Sequence, residues 1–186
     1  MEVVEFSIQG PLLLIPPRFV DERGFVSETF SLRRLQSHIG PVTFVQDNHA
    51  VSREAGTVRG LHFQVPPAAQ GKLVRVVRGA VYDVAVDIRV GSPTYGRHVA
   101  VEISAANWAQ LWVPPGFAHG FCTLEPRTEI IYKLTDYYSP EHDAGLAWDD
   151  PALAIPWPLT GSPILSPKDG NQPSLATLPA HFTVDA

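Results

Sequence analysis

The chain has 186 residues, of which 45% are hydrophobic and 18% charged, so it can bury one globular core but is short for two domains. Its single cysteine, Cys122, excludes an internal disulfide scaffold. The net charge of -5 argues against a broad nucleic-acid surface, and we expect a small-molecule partner. The 18 prolines and 14 glycines are spread along the chain, which is typical of many short strands and turns. Composition therefore predicts a single all-β domain over residues 1–186.

The amino terminus carries acidic residues where a signal peptide would be basic, and its apolar run at residues 12–15 lies between two prolines. That run is far shorter than the roughly 18 apolar residues that a membrane-spanning helix needs. Residues 31–36 can form one short helix, with Ser31 as N-cap and Gly40 as stop signal. We therefore expect a cytoplasmic protein with no membrane partner and one short helix near its amino terminus.

From Gln46 onward the pattern predicts strands. The clearest pair spans residues 71–79 and 80–87, which are rich in valine and meet at a glycine. In the second of these strands, alternating residues place apolar side chains on one face, whereas the other face includes Asp83 and Asp87. Further predictions are strands at 99–103, 110–113 and 128–134, a sharp turn at 114–116, and a turn-rich carboxy-terminal wrap after Tyr138. A sandwich, a jelly roll and a small barrel all fit this pattern.

Sequence motifs for several kinds of chemistry are missing. The 7 histidines show no HxH or HExxH spacing, and the chain has neither a nucleotide-binding glycine loop nor a GxSxG sequence. Acid–base chemistry remains, with His62 as a candidate, although a histidine at an arbitrary position is more often structural. A catalytic imidazole needs partners that orient it and stabilise charge. The candidate partners are Arg59, Lys72, Asp83, His119, Tyr132 and Asp169.

A series of short motifs covers nearly the whole chain. They are residues 21–25 (DERGF), 59–62 (RGLH), 79–87 (GAVYDVAVD), 114–121 (PPGFAHGF), 132–138 (YKLTDYY), 148–151 (WDDP) and 165–169 (LSPKD). Together and in this order they resemble the dTDP-4-dehydrorhamnose 3,5-epimerase family. The resemblance implies a cupin-like jelly-roll barrel with a short N-terminal helix and a C-terminal wrap. It also implies a homodimer and a reaction without metal or redox cofactor.

The same resemblance implies a substrate, dTDP-4-dehydro-6-deoxy-D-glucose, whose C4 ketone acidifies the hydrogens at C3 and C5. Inversion at both carbons is a step toward dTDP-L-rhamnose. By resemblance His62 is the base, Asp169 its partner and Tyr132 the acid, while Lys72 stabilises the enolate oxygen. The residues implied to bind the dTDP-sugar are Phe19, Arg23, Glu28, Gln46, Asn48, Arg59, Lys72, His119, Tyr138, Asp143 and Lys168. The segment from Phe19 to Glu28 is expected to reach the site of a neighbouring chain.

Several positions keep a second interpretation or depart from the family. Arg23 and Glu28 also fit an exposed ion pair near the turn at residues 21–24. Asp83 either supports the site or satisfies neighbouring backbone groups. Asp143 stands where the family often has glutamate, which shortens its reach toward a ligand, and Ala50 stands where serine is common.

The spacing of Arg59 and His62 conflicts with their joint placement in one site. The two residues differ in strand parity, so a regular strand would point them to opposite faces. A bulge or kink at Gly60 would remove this conflict. If the strand is regular and Arg59 faces outward, Arg59 does not bind the diphosphate.

Three other functions are weighed against the double epimerase. A 3-epimerase or a 5-epimerase would keep the same acid–base residues. A metal-dependent cupin oxygenase is suggested by residues 115–119, although the absent HxH argues against it. A catalytically silent sugar-nucleotide-binding module would not need an intact base, partner and acid.

Overall fold

The computed structural model describes residues 1–184, so the last two residues of the predicted carboxy-terminal wrap lie outside the described residues. Within this range one α-helix, α1, spans Leu32–Ile39. No helix of residues 1–184 has the length and apolar character needed to cross a membrane. The strands are β1 (Glu2–Glu5), β2 (Leu12–Ile15), β3 (Phe19–Asp21), β4 (Gly24–Val26), β5 (Gln46–Ser52), β6 (Val58–Gln64), β7 (Lys72–Arg78), β8 (Ala80–Asp87), β9 (Arg89–Val90), β10 (His98–Ser104), β11 (Gln110–Val113), β12 (Phe117–Thr123), β13 (Thr128–Leu134), β14 (Asp143–Gly145) and β15 (Phe182–Thr183).

Most strands belong to two antiparallel sheets that pack face to face. The first has the order β1-β2-β11-β7-β13-β5 and the second the order β10-β8-β12-β6-β14. Val74 and Val76 of the first sheet share one buried cluster with Val81 and Ala85 of the second. The all-β prediction is confirmed. Among the described strands both sheets stay open at their edges, so the predicted closed barrel is not confirmed.

Strand β8 is buried on both faces. Val81 and Ala85 face the core between the sheets, whereas Val84 and Val86 pack on the other side against the carboxy-terminal segment. The partly polar face predicted for this strand is therefore the face that points into the core between the sheets, and Asp83 is fully buried on it. Two carboxylates inside the core need partners, because a buried charge without compensation is costly.

The carboxy-terminal segment covers the outer face of the second sheet, as predicted. It contains two short 3-10 helices, Asp169–Asn171 and Leu175–Thr177, and ends in β15, which pairs with β9. Leu153 is buried in this layer, and Leu178 and Phe182 pack against the same cluster. The wrap therefore shields the back of the strands that carry the site residues described below.

The helix also follows the prediction. It begins after Ser31 and ends before Gly40, which has a positive φ of 79°. Ser31 has the extended backbone of an N-cap residue, but its side chain makes no capping hydrogen bond. Leu35 is buried and packs with Leu73 and Trp112 on the outer face of the first sheet. The helix thus covers the apolar end of that face.

Asp87 is the second buried carboxylate of β8 and is fully satisfied. It accepts hydrogen bonds from Arg89, Ser92 and Thr94. Burial would raise its pKa, but these hydrogen bonds lower it from 3.8 to about 2. Because the pKa is depressed in the folded state, the ionised Asp87 stabilises the fold above pH 3.8, and this stabilisation is lost as the pH falls through about 2.

We expect Asp87→Asn to reduce the free energy of unfolding by about 2–4 kcal/mol at neutral pH, since the variant leaves the Arg89 guanidinium without its anionic partner. Urea denaturation followed by circular dichroism measures this loss. The difference from the unaltered protein should shrink in strong acid, and a loss that is the same at every pH would contradict the assignment.

Candidate active site

A cavity of about 240 Å³ lies between the two sheets. It collects side chains from both sheets and from the carboxy-terminal segment: Ala50, Arg59, His62, Lys72, His119, Tyr132, Lys168 and Asp169 are among them. An adjoining cavity of about 220 Å³ shares four of these residues and adds Gln46, Asn48, Tyr138 and Asp143. All four predicted catalytic residues and most predicted binding residues therefore meet in one place.

A β-bulge in β6 allows Arg59 and His62 to line the same cavity. His62 pairs with His119 of β12, and Arg59 pairs with Phe121. The two residues between Arg59 and His62 on β6 therefore lie opposite one residue, Gly120, on β12. The extra residue restores the common direction of the two side chains. Gly60, at the bulge, has a φ of 131°. The predicted bulge is therefore present, and Arg59 and His62 can line one cavity although they differ in strand parity.

His62 and Asp169 form a close pair. Nε2 of His62 lies 2.5 Å from Oδ1 of Asp169, which is nearly fully buried. The backbone amide of Asp169 donates to the Ser166 hydroxyl, which fixes the first turn of the 3-10 helix that carries the carboxylate. Burial lowers the pKa of His62, while the charge of Asp169 opposes that shift. The imidazole is therefore mainly neutral at pH 7 and can accept a proton.

Tyr132 lies on β13, in the sheet that faces His62. Nδ2 of Asn48 donates a hydrogen bond of 3.0 Å to the Tyr132 hydroxyl oxygen. Gln46 in turn donates to the Asn48 side-chain oxygen and accepts from the Tyr138 amide. Because the phenol oxygen accepts from Asn48, its own proton stays available for donation into the cavity. Gln46 and Asn48, predicted as binding residues, thus also orient the candidate acid.

Lys72 lies on β7, and its ammonium donates to the His62 carbonyl at 3.1 Å. Burial lowers its pKa to about 8, against the attraction of Asp143 and Asp83. The ammonium is therefore still largely charged at pH 7 and holds its proton weakly. Such a group can stabilise an oxyanion that develops next to it.

His119 is nearly buried, and its Nε2 lies 2.5 Å from Oδ1 of Asp83. It is the histidine of the segment that is similar to part of a cupin metal motif. Within residues 1–184 no three His, Cys, Asp or Glu side chains converge on a point where they could hold a metal ion. The partner of His119 is thus a carboxylate of the core.

The remaining binding candidates lie around the cavity mouth. Arg59 is held by the Ser52 hydroxyl and the Val51 carbonyl. Asp143 accepts hydrogen bonds from the Lys168 ammonium and the Tyr138 hydroxyl. Although its side chain is shorter than glutamate, Asp143 reaches both partners. Arg59 and Lys168 thus add two cations to the lining of the cavity, which favours an anionic ligand.

Three predicted residues lie away from this cavity within the chain. Phe19 is 66% exposed on β3, in the hairpin that β3 forms with β4. Arg23 pairs with Asp21 at 2.6 Å, and Glu28 pairs with Arg34 at 3.2 Å. Arg23 thus forms an exposed ion pair within the turn at residues 21–24, whereas Glu28 pairs with the helix outside that turn. Within this chain Phe19, Arg23 and Glu28 do not join His62.

Gln64 and Ser166 also shape the site, although neither is among the residues predicted to form it. Gln64 is buried, and its amide binds the backbone of Tyr137 and Ser139 on either side of Tyr138. Gln64 lies two residues after His62 on β6, so both side chains point to the same face, and this spacing could have identified Gln64 as a site residue. Ser166 stands two residues before Lys168 in a turn, where a hydroxyl commonly binds a backbone amide.

Comparison with known proteins agrees with the geometry of the cavity. The family model described as dTDP-4-dehydrorhamnose 3,5-epimerase matches residues 5–177. A dTDP-4-dehydrorhamnose 3,5-epimerase of Sinorhizobium fredii is 56% identical over 95% of this chain and 90% of its own.

Two solved structures are similar over nearly their whole length. The dTDP-6-deoxy-D-glucose-3,5-epimerase of Legionella pneumophila, in complex with dTDP-4-keto-L-rhamnose, has a TM-score of 0.95 and 43% identity over 100% of this chain and 99% of its own. The Bacillus anthracis enzyme with TDP and PPi bound has a TM-score of 0.90 and 50% identity over 93% and 98%. With the family model and the sequence relatives, these matches show that the chain belongs to the dTDP-4-dehydrorhamnose 3,5-epimerase family.

Proposed function

We propose that the chain is an isomerase that inverts C3 and C5 of dTDP-4-dehydro-6-deoxy-D-glucose and so makes dTDP-4-dehydro-L-rhamnose for dTDP-L-rhamnose synthesis. One observation carries the assignment of roles. His62 and Tyr132 lie on facing sheets and line one cavity. A sugar ring held between them can lose a proton on one face and gain a proton on the other, which is what inversion requires.

The base is His62. Its lowered pKa keeps the imidazole neutral, and Asp169 orients the ring and stabilises the imidazolium that forms on proton removal. Deprotonation at C3 or C5 delocalises the negative charge onto the C4 oxygen as an enolate. The Lys72 ammonium is the group that stabilises this oxygen.

The acid is Tyr132, which returns a proton to the carbon from the opposite face. Asn48 holds the phenol so that its proton is free for transfer. Solvent then takes the proton from the His62 imidazolium and returns one to the Tyr132 phenolate, and the same two steps at the second carbon complete the reaction. Because epimerisation changes no oxidation state, proton transfer within this residue set is sufficient, and we propose a reaction without cofactor.

Isotope exchange tests the proposed double epimerisation. We expect that incubation of the protein with the keto-sugar nucleotide in deuterated water places deuterium at both C3 and C5, because each inverted carbon receives its new proton from solvent-exchanged groups. Nuclear magnetic resonance of the product locates the label. Exchange at C3 alone, or at C5 alone, would instead support a single epimerase.

We further propose that residues 1–186 form one epimerase domain with a cupin-like jelly-roll topology, and that it acts in the cytoplasm as a homodimer. The two facing sheets support the jelly roll. The free, buried Cys122 fits a reducing compartment. The hairpin of β3 and β4 supports the dimer, because it exposes Phe19, Val20 and Val26 although each is apolar.

In this dimer the hairpin brings Phe19, Arg23 and Glu28 to the cavity of the partner chain, where they bind the nucleotide together with Tyr138 and Lys168. Arg23 would exchange its exposed bond to Asp21 for a phosphate. The hairpin contacts its own chain through Phe25, whose ring meets Trp108 edge-on at 4.9 Å.

Mixing two variants tests this arrangement, at a substrate concentration low enough that neither variant turns over by itself. Arg23→Ala should weaken substrate binding and His62→Ala should abolish turnover. When both are unfolded and refolded together, half of the dimers are mixed, and each mixed dimer has one intact site. We expect recovery of about one quarter of the unaltered activity. If the mixture is as inactive as the separate variants, the exchange of hairpins between chains is wrong.

A further inference from the structure

A second carboxylate–imidazole pair lies beside the first in the same cavity. His119 is the register partner of His62 on the neighbouring strand, and its Nε2 is bound to the fully buried Asp83. No hydrogen bond is found for its Nδ1 among residues 1–184, and the His119 side chain lines the cavity. The proton transfers described above give Asp83 no task.

Asp83 also carries an unsatisfied atom. In residues 1–184 its Oδ2 is buried without a hydrogen-bond partner, whereas the equally buried Asp87 is fully satisfied. A buried carboxylate oxygen left in this way is costly unless a positive charge compensates it. Lys72, which lines the same cavity as the Asp83-bound His119, is attracted by the Asp83 charge. Burial lowers the pKa of Lys72 to about 8, and Asp83 is one of two carboxylates whose attraction opposes the shift.

Two carboxylates attract the Lys72 ammonium, and the attraction of Asp143 is larger than that of Asp83. Asp143 also accepts hydrogen bonds from Lys168 and Tyr138. Lys168 acts in the opposite direction and lowers the pKa of Lys72. The titratable and charged groups that share the two cavities with Lys72 are Arg59 and His62 on β6, His119 on β12, Tyr132 on β13, Tyr138, Asp143, Lys168 and Asp169.

We infer that Asp83 is a positioning residue of the epimerase site, which orients His119 with Nδ1 toward the sugar and keeps Lys72 charged beside the enolate oxygen. The inference rests on the proposed function. Asp83 does not touch the substrate, because it is fully buried behind His119. It acts through two cavity residues, one on each sheet.

Asp83→Asn tests the inference, because asparagine keeps the shape of the side chain and removes its charge. We expect kcat to fall about 10- to 100-fold and KM to change by less than about threefold. In the unaltered protein, loss of the Lys72 proton should set the falling limb of the pH profile of kcat/KM at about 8. In the variant this limb should move to lower pH, since the attraction that favours the ammonium is gone.

Asp87→Asn is the matched control. Asp87 is a fully buried carboxylate with the same parity on the same strand, but its partners lie outside the cavity. This variant should lose stability and keep the position of the falling limb. If Asp83→Asn also keeps the limb in place, or keeps the unaltered kcat, Asp83 is a structural residue and the inference is overturned.

A measurement on the unaltered protein covers the case in which Asp83→Asn does not fold. Nitrogen-15 spectra of the histidines should show the neutral form of His119 protonated at Nε2, because that atom faces Asp83; protonation at Nδ1 would overturn the inference. Failure of the proposed function is seen separately. In that case the unaltered protein incorporates no deuterium at C3 or C5, whereas failure of the inference about Asp83 leaves that exchange intact.

Discussion

His62→Ala is expected to lower kcat at least about a thousandfold while the dissociation constant of dTDP changes by less than about threefold. The imidazole is the neutral proton acceptor of the cavity, and alanine leaves Asp169 without a group to orient. The side chains proposed to bind the nucleotide do not include His62, so nucleotide binding should persist. Steady-state kinetics and calorimetric titration with dTDP measure the two effects separately.

His49→Ala is a suitable control for this experiment. His49 is about half exposed on β5, where it approaches Glu129, and it lies outside both cavities. Its replacement should leave kcat within about twofold, since a surface ion pair contributes little. Normal turnover by the His62 variant would show that another group removes the proton. A variant that loses turnover and dTDP binding together would show that His62 holds the nucleotide.

Gly60→Ala is expected to lower the free energy of unfolding by about 2–4 kcal/mol and to reduce activity in the fraction that folds. An added Cβ would lie 2.5 Å from Cα of Gly120 and 2.9 Å from the His119 carbonyl oxygen. Both contacts are backbone atoms of the adjacent strand, so no side-chain rotation relieves them. The φ of 131° adds strain for any residue with a side chain. Thermal and urea denaturation measure the loss.

The site is expected to suffer because the bulge at Gly60 aligns Arg59 with His62. Gly161→Ala provides the comparison, since a Cβ there meets nothing within 4 Å and the backbone is not in the positive-φ region. It should leave stability and kcat nearly unchanged. Equal stability of the two variants would contradict the close approach of β6 and β12.

Local structure was largely predictable from local pattern. The helix between Ser31 and Gly40 and the strands β7, β8, β11 and β13 lie where propensity and glycine placement predict them. These elements depend on contacts between near neighbours in sequence, and their signals survive without tertiary information. The closed barrel was not confirmed, because strand pairing at sheet edges depends on how distant segments pack.

The site was predictable as a set of residues through family resemblance, and its arrangement was not. His62 and Asp169 stand 107 positions apart, and no periodicity relates them. The parity of Arg59 and His62 even argued against a common site until the bulge brought them together. Asp83 remained undecided in the sequence, since a polar residue in an apolar strand indicates burial or function equally well.

The amino-acid sequence by itself determined the all-β character, the short helix, the turn before His119 and the inventory of acid–base groups. Only the tertiary structure decided what those groups can do. Burial between the sheets lowers the pKa of His62 and Lys72, and Asn48 leaves the Tyr132 proton free. Protonation and orientation depend on the surrounding dielectric and on hydrogen-bond partners, and both are supplied by segments far apart in the chain.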